Sequence, residues 1–268
     1  MPSLSPDLVT DLQAVAHALA DAARPETLRH FRSAGLGATN KDATGFDPVT
    51  EGDRAAERAM RDVLARLRPD DGILGEEFGQ SHGTTGLTWV LDPIDGTRAY
   101  LSGTPSWGVL VAVSDADGPI LGLIDQPFTG ERFLGGPDGA TLSDRSGDRP
   151  LRASGRTDLS DAILFTTFPE IGTASERSAF ERVRDRVRLT RYGLDCYAYA
   201  LLAMGQIDLV IEAGLQSYDI QGPLAVVRGA GGIVTDWRGG PAHEGGQVIA
   251  AATPELHAAA LELLGDGA

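Results

Sequence analysis

The chain has a single cysteine, Cys196, in 268 residues. That excludes an intramolecular disulfide framework and a zinc site built from cysteines alone, and fits a reducing compartment. Basic residues are scarce too: 23 Lys and Arg stand against 38 Asp and Glu, a formal charge of −15, with no Lys/Arg-rich run to offset it. Such a surface repels a phosphate backbone, so nucleic acid is not an expected partner. Nor is a membrane. The uncharged stretch 99–114 is interrupted by Gly103, Pro105 and Gly108, and the first twenty residues carry Asp7 and Asp11 with no basic segment before an apolar one, unlike a signal peptide. Internal repeats and low-complexity tracts are lacking. These absences favour the cytoplasm. What is present is 42% hydrophobic residues, enough for a sizeable core in one large or two modest domains. An acidic chain that handled a phosphate would need bound cations or a sharply local positive field.

Leu8, Leu12, Val15, Ala16 and Leu19 recur at helical spacing, and Pro25 is expected to end that helix before a short one over 26–32. Thr50 can cap a helix reaching about Leu67, with Glu51 and Asp53 in its first turn. Short apolar runs at 72–74, 87–91, 107–113, 120–124 and 132–134 read as strands, the last three as an antiparallel meander. The Gly-, Asp- and Ser-rich segment 135–149 reads as a linker, so the expected boundary divides 1–150 from 151–268. The second part alternates strands at 162–165, 188–190, 207–212, 232–236 and 248–251 with helices at 175–185, 195–204, 218–229 and 254–264. The fold class is α/β.

The strongest local signal is Trp89-Val90-Leu91-Asp92-Pro93-Ile94-Asp95-Gly96-Thr97. A hydrophobic strand ends in a carboxylate, and Pro93 cannot extend the sheet ladder, so the chain turns and a second carboxylate can converge on the first. The turn frees the Ile94 carbonyl as a hard oxygen ligand. Gly96 allows close backbone approach, and a helix starting near Thr97 would point unpaired N–H groups at an anion. Further carboxylates end other elements: Glu76 and Glu77 follow a strand, Asp219 opens a helix, and Asp47 precedes the Thr50 cap. If Asp47, Glu76, Asp92, Asp95 and Asp219 meet, each pair about 4 Å apart repels by roughly 4 kcal/mol at an effective dielectric near 20. Divalent cations would resolve the conflict, and an all-oxygen donor set favours Mg2+ over zinc. Taken singly, each residue has an ordinary reading as a cap, a turn residue or a solvated charge. Cys196 reads as a small buried residue rather than a nucleophile, since no His lies close in sequence.

Asp47-Pro-Val-Thr-Glu-Gly-Asp53, Gly75-Glu76-Glu77, Asp92-Pro-Ile-Asp-Gly-Thr97, and Tyr218-Asp219 followed by Gly229-Ala-Gly-Gly232 together resemble the ordered motifs of the inositol monophosphatase family, over about residues 5–265. These are Mg2+-dependent, lithium-sensitive phosphatases. The resemblance implies an α/β/α/β/α sandwich of the inositol monophosphatase and fructose-1,6-bisphosphatase type, often a homodimer, that hydrolyses small phosphate monoesters by in-line attack of a metal-activated water. It implies that Glu76, Asp92 and the Ile94 carbonyl hold one Mg2+ and that Asp92, Asp95 and Asp219 hold a second, with a weaker third expected beside Glu76. Asp47 and Thr97 resemble the pair that orients and deprotonates the attacking water, with Glu76 also in the catalytic set. The amides of Gly96 and Thr97 would hold the phosphate.

For the leaving group, Arg191-Tyr-Gly-Leu-Asp-Cys-Tyr-Ala-Tyr199 resembles the R-x-G-G-D-C-Y pattern of the histidinol-phosphatase branch, which serves histidine synthesis, more than the pattern of the inositol enzymes. Leu194 stands where that pattern has glycine, and Tyr218 where the wider family commonly has tryptophan. Asp195 and Glu212 would form a negative wall against the ammonium or imidazolium of L-histidinol phosphate, with Arg191 a substrate-side residue or an ion-pair partner of Glu212. Asp95 and Asp219 would also touch substrate. The alternatives are an inositol-1-phosphate or other sugar-phosphate phosphatase and, from another class, a catalytically silent cation- or phosphate-binding regulator, against which the intact Asp47, Glu76 and Thr97 argue.

Overall fold

The Thr50 hydroxyl accepts the amides of Gly52 and Asp53 while the Asp53 carboxylate accepts the Thr50 amide, a reciprocal cap at the head of the second helix. In the computed structural model, which describes residues 5–33, 38–40 and 48–265, the first part of the chain runs α1 (Pro6–His30), β1 (Ala38–Asn40), β2 (Pro48–Thr50), α2 (Glu51–Leu67), β3 (Gly72–Gly75), β4 (Gly79–Ser81), β5 (Thr88–Asp95), α3 (Thr97–Ser102), β6 (Gly108–Asp115), β7 (Gly118–Gln126), β8 (Glu131–Gly136), β9 (Gly139–Asp144) and β10 (Gly147–Pro150). β11 (Ile163–Thr166), α4 (Ala174–Arg184), β12 (Leu189–Tyr192), α5 (Cys196–Ala203), β13 (Leu209–Leu215), α6 (Ser217–Gly229), β14 (Ile233–Thr235), β15 (Gly246–Ala251) and α7 (Pro254–Leu264) follow.

Two expectations are corrected. The first helix does not stop at Pro25. Pro25 is exposed, Arg24 just before it binds Asp125 at 2.6 Å, and the Tyr100 hydroxyl donates to the Thr27 carbonyl at 2.6 Å, so tertiary contacts hold the helix on both sides of the proline. The segment 135–149 is not a linker but the hairpin β9–β10, which closes the meander. Its Gly and Asp residues supply the turns of that hairpin, and the strands of the second sheet all follow it.

The eight-stranded sheet has the order β10-β9-β8-β7-β6-β5-β3-β4, and the five-stranded sheet β12-β11-β13-β15-β14. Both are covered on two faces. Along β6, Val109, Val111 and Val113 face α1 and α2, whereas Leu110 joins the core with α5 and α6. Along β13, Val210 faces α5 and α6, and Leu209 and Ile211 face α4 and α7. Strand side chains alternate, so a strand buried on both sides must be apolar throughout, as these are. The result is the expected α/β/α/β/α layering. No helix among the described residues is long and apolar enough to cross a membrane.

The central helix α6 lies backbone to backbone on the larger sheet. A Cβ at Gly122 would collide with the Gly222 carbonyl, and one at Gly135 with the backbone of Ala225 and Val226. Gly122→Ala is therefore expected to lift α6 from β7 and to cost about 1–3 kcal/mol, read as a lower Tm. An unchanged Tm would show that α6 is not seated on these glycines.

Candidate active site

β5 carries the site because its end is irregular. Asp92 pairs with Leu110 but Asp95 with Gly108, so one extra residue bulges out where Pro93 cannot donate to the ladder. The Asp92 carboxylate accepts the Ile94 amide at 3.0 Å, and the Thr97 hydroxyl donates to the Ile94 carbonyl at 3.1 Å. Gly96 has φ 83°, and a Cβ there would lie 2.9 Å from Cγ of Asp195. Only glycine meets both demands. α3 then starts at Thr97, as expected.

Asp219 reaches the same place from the N-terminus of α6, where its carboxylate also accepts the Gln216 amide at 2.7 Å. Asp92, Asp95 and Asp219 each offer an oxygen, and these oxygens lie within 4.8 Å of one another. Glu76 lines the same cavity at the turn after β3. That turn is held by a residue the sequence did not single out. The buried Glu57 accepts the amides of Glu77 (2.7 Å) and Phe78 (3.3 Å) and binds Arg61 at 2.7 Å. Its carboxylate fills the space where any side chain at Gly75 would go. Asp47 lies outside the described residues.

A cavity of about 660 Å³ opens over this cluster, with Asp195 and Glu212 in its wall. Asp195 has φ 48° and ψ −140°, a backbone that a non-glycine residue adopts only at a cost of about 1–3 kcal/mol. The next amide, Cys196, donates to the Asp95 carboxylate at 2.6 Å and ties the strained residue to the turn that carries Asp92 and Asp95. Glu212 takes the Thr167 amide (3.0 Å) and hydroxyl (2.6 Å), both on Oε1. The expected Arg191–Glu212 pair is not formed. Arg191 sits exposed on β12, an edge strand, and does not line the cavity. The lining cation is instead Arg98, next to Thr97, which lies over the Phe168 ring at 4.9 Å. Its position beside the motif was the available signal for Arg98; Thr167 and Phe168 had none.

Burial, then the neighbouring Glu76 carboxylate, pushes Asp92 well above the usual carboxylate range. Burial and then Asp195 do the same to Asp95. Burial raises Glu212 to about 7 against its Thr167 bonds, and raises Asp195 to about 6 against the opposing field of Arg98. So many crowded carboxylates facing one guanidinium among the described residues are a poor structural ion-pair network but fit a divalent cation, and an all-oxygen donor set fits Mg2+.

The profile of the inositol monophosphatase family matches residues 8–266. The Arabidopsis thaliana protein named bifunctional phosphatase IMPL2, chloroplastic, is 40% identical over 262 residues, 94% of this chain and 74% of its own. The histidinol-phosphatase of Streptomyces coelicolor is 36% identical over 269 residues, covering 97% of each chain. Among solved structures, an inositol monophosphatase from Zymomonas mobilis superposes with a TM-score of 0.85 at 37% identity, covering 97% of this chain and 99% of its own.

A carboxyl whose folded pKa is raised stabilises the fold below its unfolded value, and that stability is lost as pH rises through the folded value. With Asp195 near 6, Glu212 near 7, and Asp92 and Asp95 raised, the Tm of chelated protein is expected to fall between about pH 5 and about pH 7.5. Added Mg2+ should restore more Tm at the higher pH, and equal gains at both would contradict the assignment. Glu57→Gln should weaken Mg2+ binding about ten-fold by calorimetry while kcat recovers at saturating Mg2+. A loss of kcat with unchanged Mg2+ affinity would refute a positioning role for Glu57.

Proposed function

The chain belongs to the inositol monophosphatase family, whose members are Mg2+-dependent in general and act on small phosphate esters, and we propose that this member is a histidinol-phosphatase. The reaction is L-histidinol phosphate plus water to L-histidinol plus phosphate. One observation carries the substrate: beyond the four carboxylates suited to metal, the cavity wall holds three more, the buried Glu212, the half-buried Asp195 and the exposed Glu170. A neutral polyol can donate hydroxyl hydrogen bonds to these carboxylates but leaves their charge uncompensated, whereas an ammonium donates and also offsets it. The strain stored at Asp195 points the same way, because a merely structural carboxylate would relax. Both Thr167 bonds end on one oxygen of Glu212, leaving the other for a ligand. The name of the Streptomyces relative is consistent with this reading, and that of the Zymomonas protein favours the rival, an inositol phosphate.

In this reading Glu76, Asp92 and the Ile94 carbonyl hold one ion, Asp92, Asp95 and Asp219 a second, and Glu76 borders a weaker third. When bound, Mg2+ neutralises the phosphate, lowers the pKa of water and stabilises the leaving oxygen. The chain does the rest. The amides of Gly96 and Thr97 orient phosphate oxygens. Thr97, anchored on the Ile94 carbonyl, positions the attacking water together with Asp47. Asp195 and Glu212 orient the leaving alcohol through its ammonium.

Purified protein with Mg2+ should release phosphate from L-histidinol phosphate with a kcat/KM about a hundred-fold above that for inositol-1-phosphate. The opposite ranking would replace the substrate assignment by its rival. Asp195→Asn should lower that ratio mainly through KM. Asp92→Asn should abolish turnover yet raise the Tm of chelated protein near neutral pH, since it removes a buried charge while keeping an acceptor for the Ile94 amide. Retained turnover would remove Asp92 from the mechanism.

A further inference from the structure

Phe168 is a large apolar side chain left 45% exposed, yet it lines the active-site cavity. Its place is fixed rather than accidental. On one side the Thr167 amide and hydroxyl are bound by Glu212; on the other, the Thr173 amide is held by Glu176 at 2.6 Å, and Glu176 also accepts from Gln247 at 2.9 Å. The strip between β11 and α4 is therefore pinned at both ends, and it presents Phe168 and the exposed carboxylate of Glu170 to the cavity. Arg98 lies over the ring at 4.9 Å, reaching across from the phosphate-side motif, and steadies it. A pinned, half-open aromatic ring beside a carboxylate acceptor matches a flat ring that carries N–H donors.

We propose that Phe168 and Glu170 form a subsite for a flat nitrogen heterocycle on the leaving alcohol, the ring stacking on Phe168 and donating an N–H to Glu170. This rests on the histidinol-phosphatase reading and adds to it. Asp195 and Glu212 select the ammonium, and this wall selects the ring. Neither residue touches the phosphate, so the subsite acts on KM rather than on the chemical step.

The test compares L-histidinol phosphate with O-phosphoethanolamine, which keeps the phosphate and ammonium but has no ring. Phe168→Ala is expected to raise KM for L-histidinol phosphate about ten-fold with kcat changed less than about two-fold, and to raise KM for O-phosphoethanolamine less than about two-fold. Phe168→Tyr should restore KM, Phe168→Leu should not, and Glu170→Gln should raise KM for the ring-bearing ester alone. Because Leu keeps the bulk, it serves if the Ala variant does not fold. Equal rises for both esters would overturn the subsite in favour of a general shaping of the cavity. If the wild type prefers L-histidinol phosphate but KM is indifferent to Phe168, the subsite falls and the substrate reading stands. If the wild type shows no such preference, both fall.

Discussion

Three carboxylate oxygens held within 4.8 Å of one another repel with a force that the polypeptide alone has no reason to tolerate. At an effective dielectric near 20 each contact of about 4 Å costs roughly 4 kcal/mol, a large share of the 5–15 kcal/mol that separates folded from unfolded in ordinary domains. The architecture answers by taking the acids from elements that cannot move independently. Asp92 and Asp95 ride on a central strand with a bulge at Pro93, and Asp219 on a helix that meets the sheet through Gly122 and Gly135. Glu76 follows a turn locked by the buried Glu57. The packing that defines the layers is thus also what resists the electrostatics of the site.

The same tension sets the direction of chemistry across the cavity. Near β5 the excess negative charge suits divalent cations and, through them, phosphate. Near α5 and β13 it suits a cationic leaving group. The two regions are joined by Asp195 and Cys196: the carboxylate of Asp195 sits against Gly96, and the Cys196 amide binds Asp95. Asp195 is therefore built onto the same turn that carries Asp92 and Asp95. Arg98 and Phe168 repeat the arrangement at the mouth, with one side chain from the motif and its partner from the other sheet.

Much of this was legible because its causes are local. A Thr with Asp three residues on can cap a helix through local contacts alone, as Thr50 and Asp53 do, and Asp92 to Thr97 packs two carboxylates, a bulge and a helix start into six residues. Continuous apolar runs bounded by turn residues made several strands of both sheets readable, and the last helix falls where its spacing put it. Contacts made far along the chain were not legible. Pro25 does not end α1, since Asp125 and Tyr100 hold the helix on both sides of it, about a hundred residues distant in one case. The hairpin β9–β10 looked like a linker because turn residues outnumber its few inward side chains. Arg191 is drawn toward the site by the motif it shares with Asp195, but strand pairing with Phe165 fixes it on the exposed edge. Glu57 and Phe168 carry no motif and become meaningful only when the turn and cavity they border exist.

How a chain of net charge −15 comes to handle an anion follows from range. At physiological salt a surface charge is screened over about 8 Å, so most of the acidic exterior is silent at the cavity floor. What an arriving phosphate meets there is the local balance of carboxylates, bound cations and Arg98. A substrate that also carries positive groups arrives with less net charge to repel, and it places those groups against the carboxylates that the metals leave uncompensated. The acidity of this protein is then no obstacle to phosphate chemistry. Under the proposed function it favours phosphate esters that bring their own cations, and the deeper the compensation, the smaller the advantage left to an uncharged alcohol.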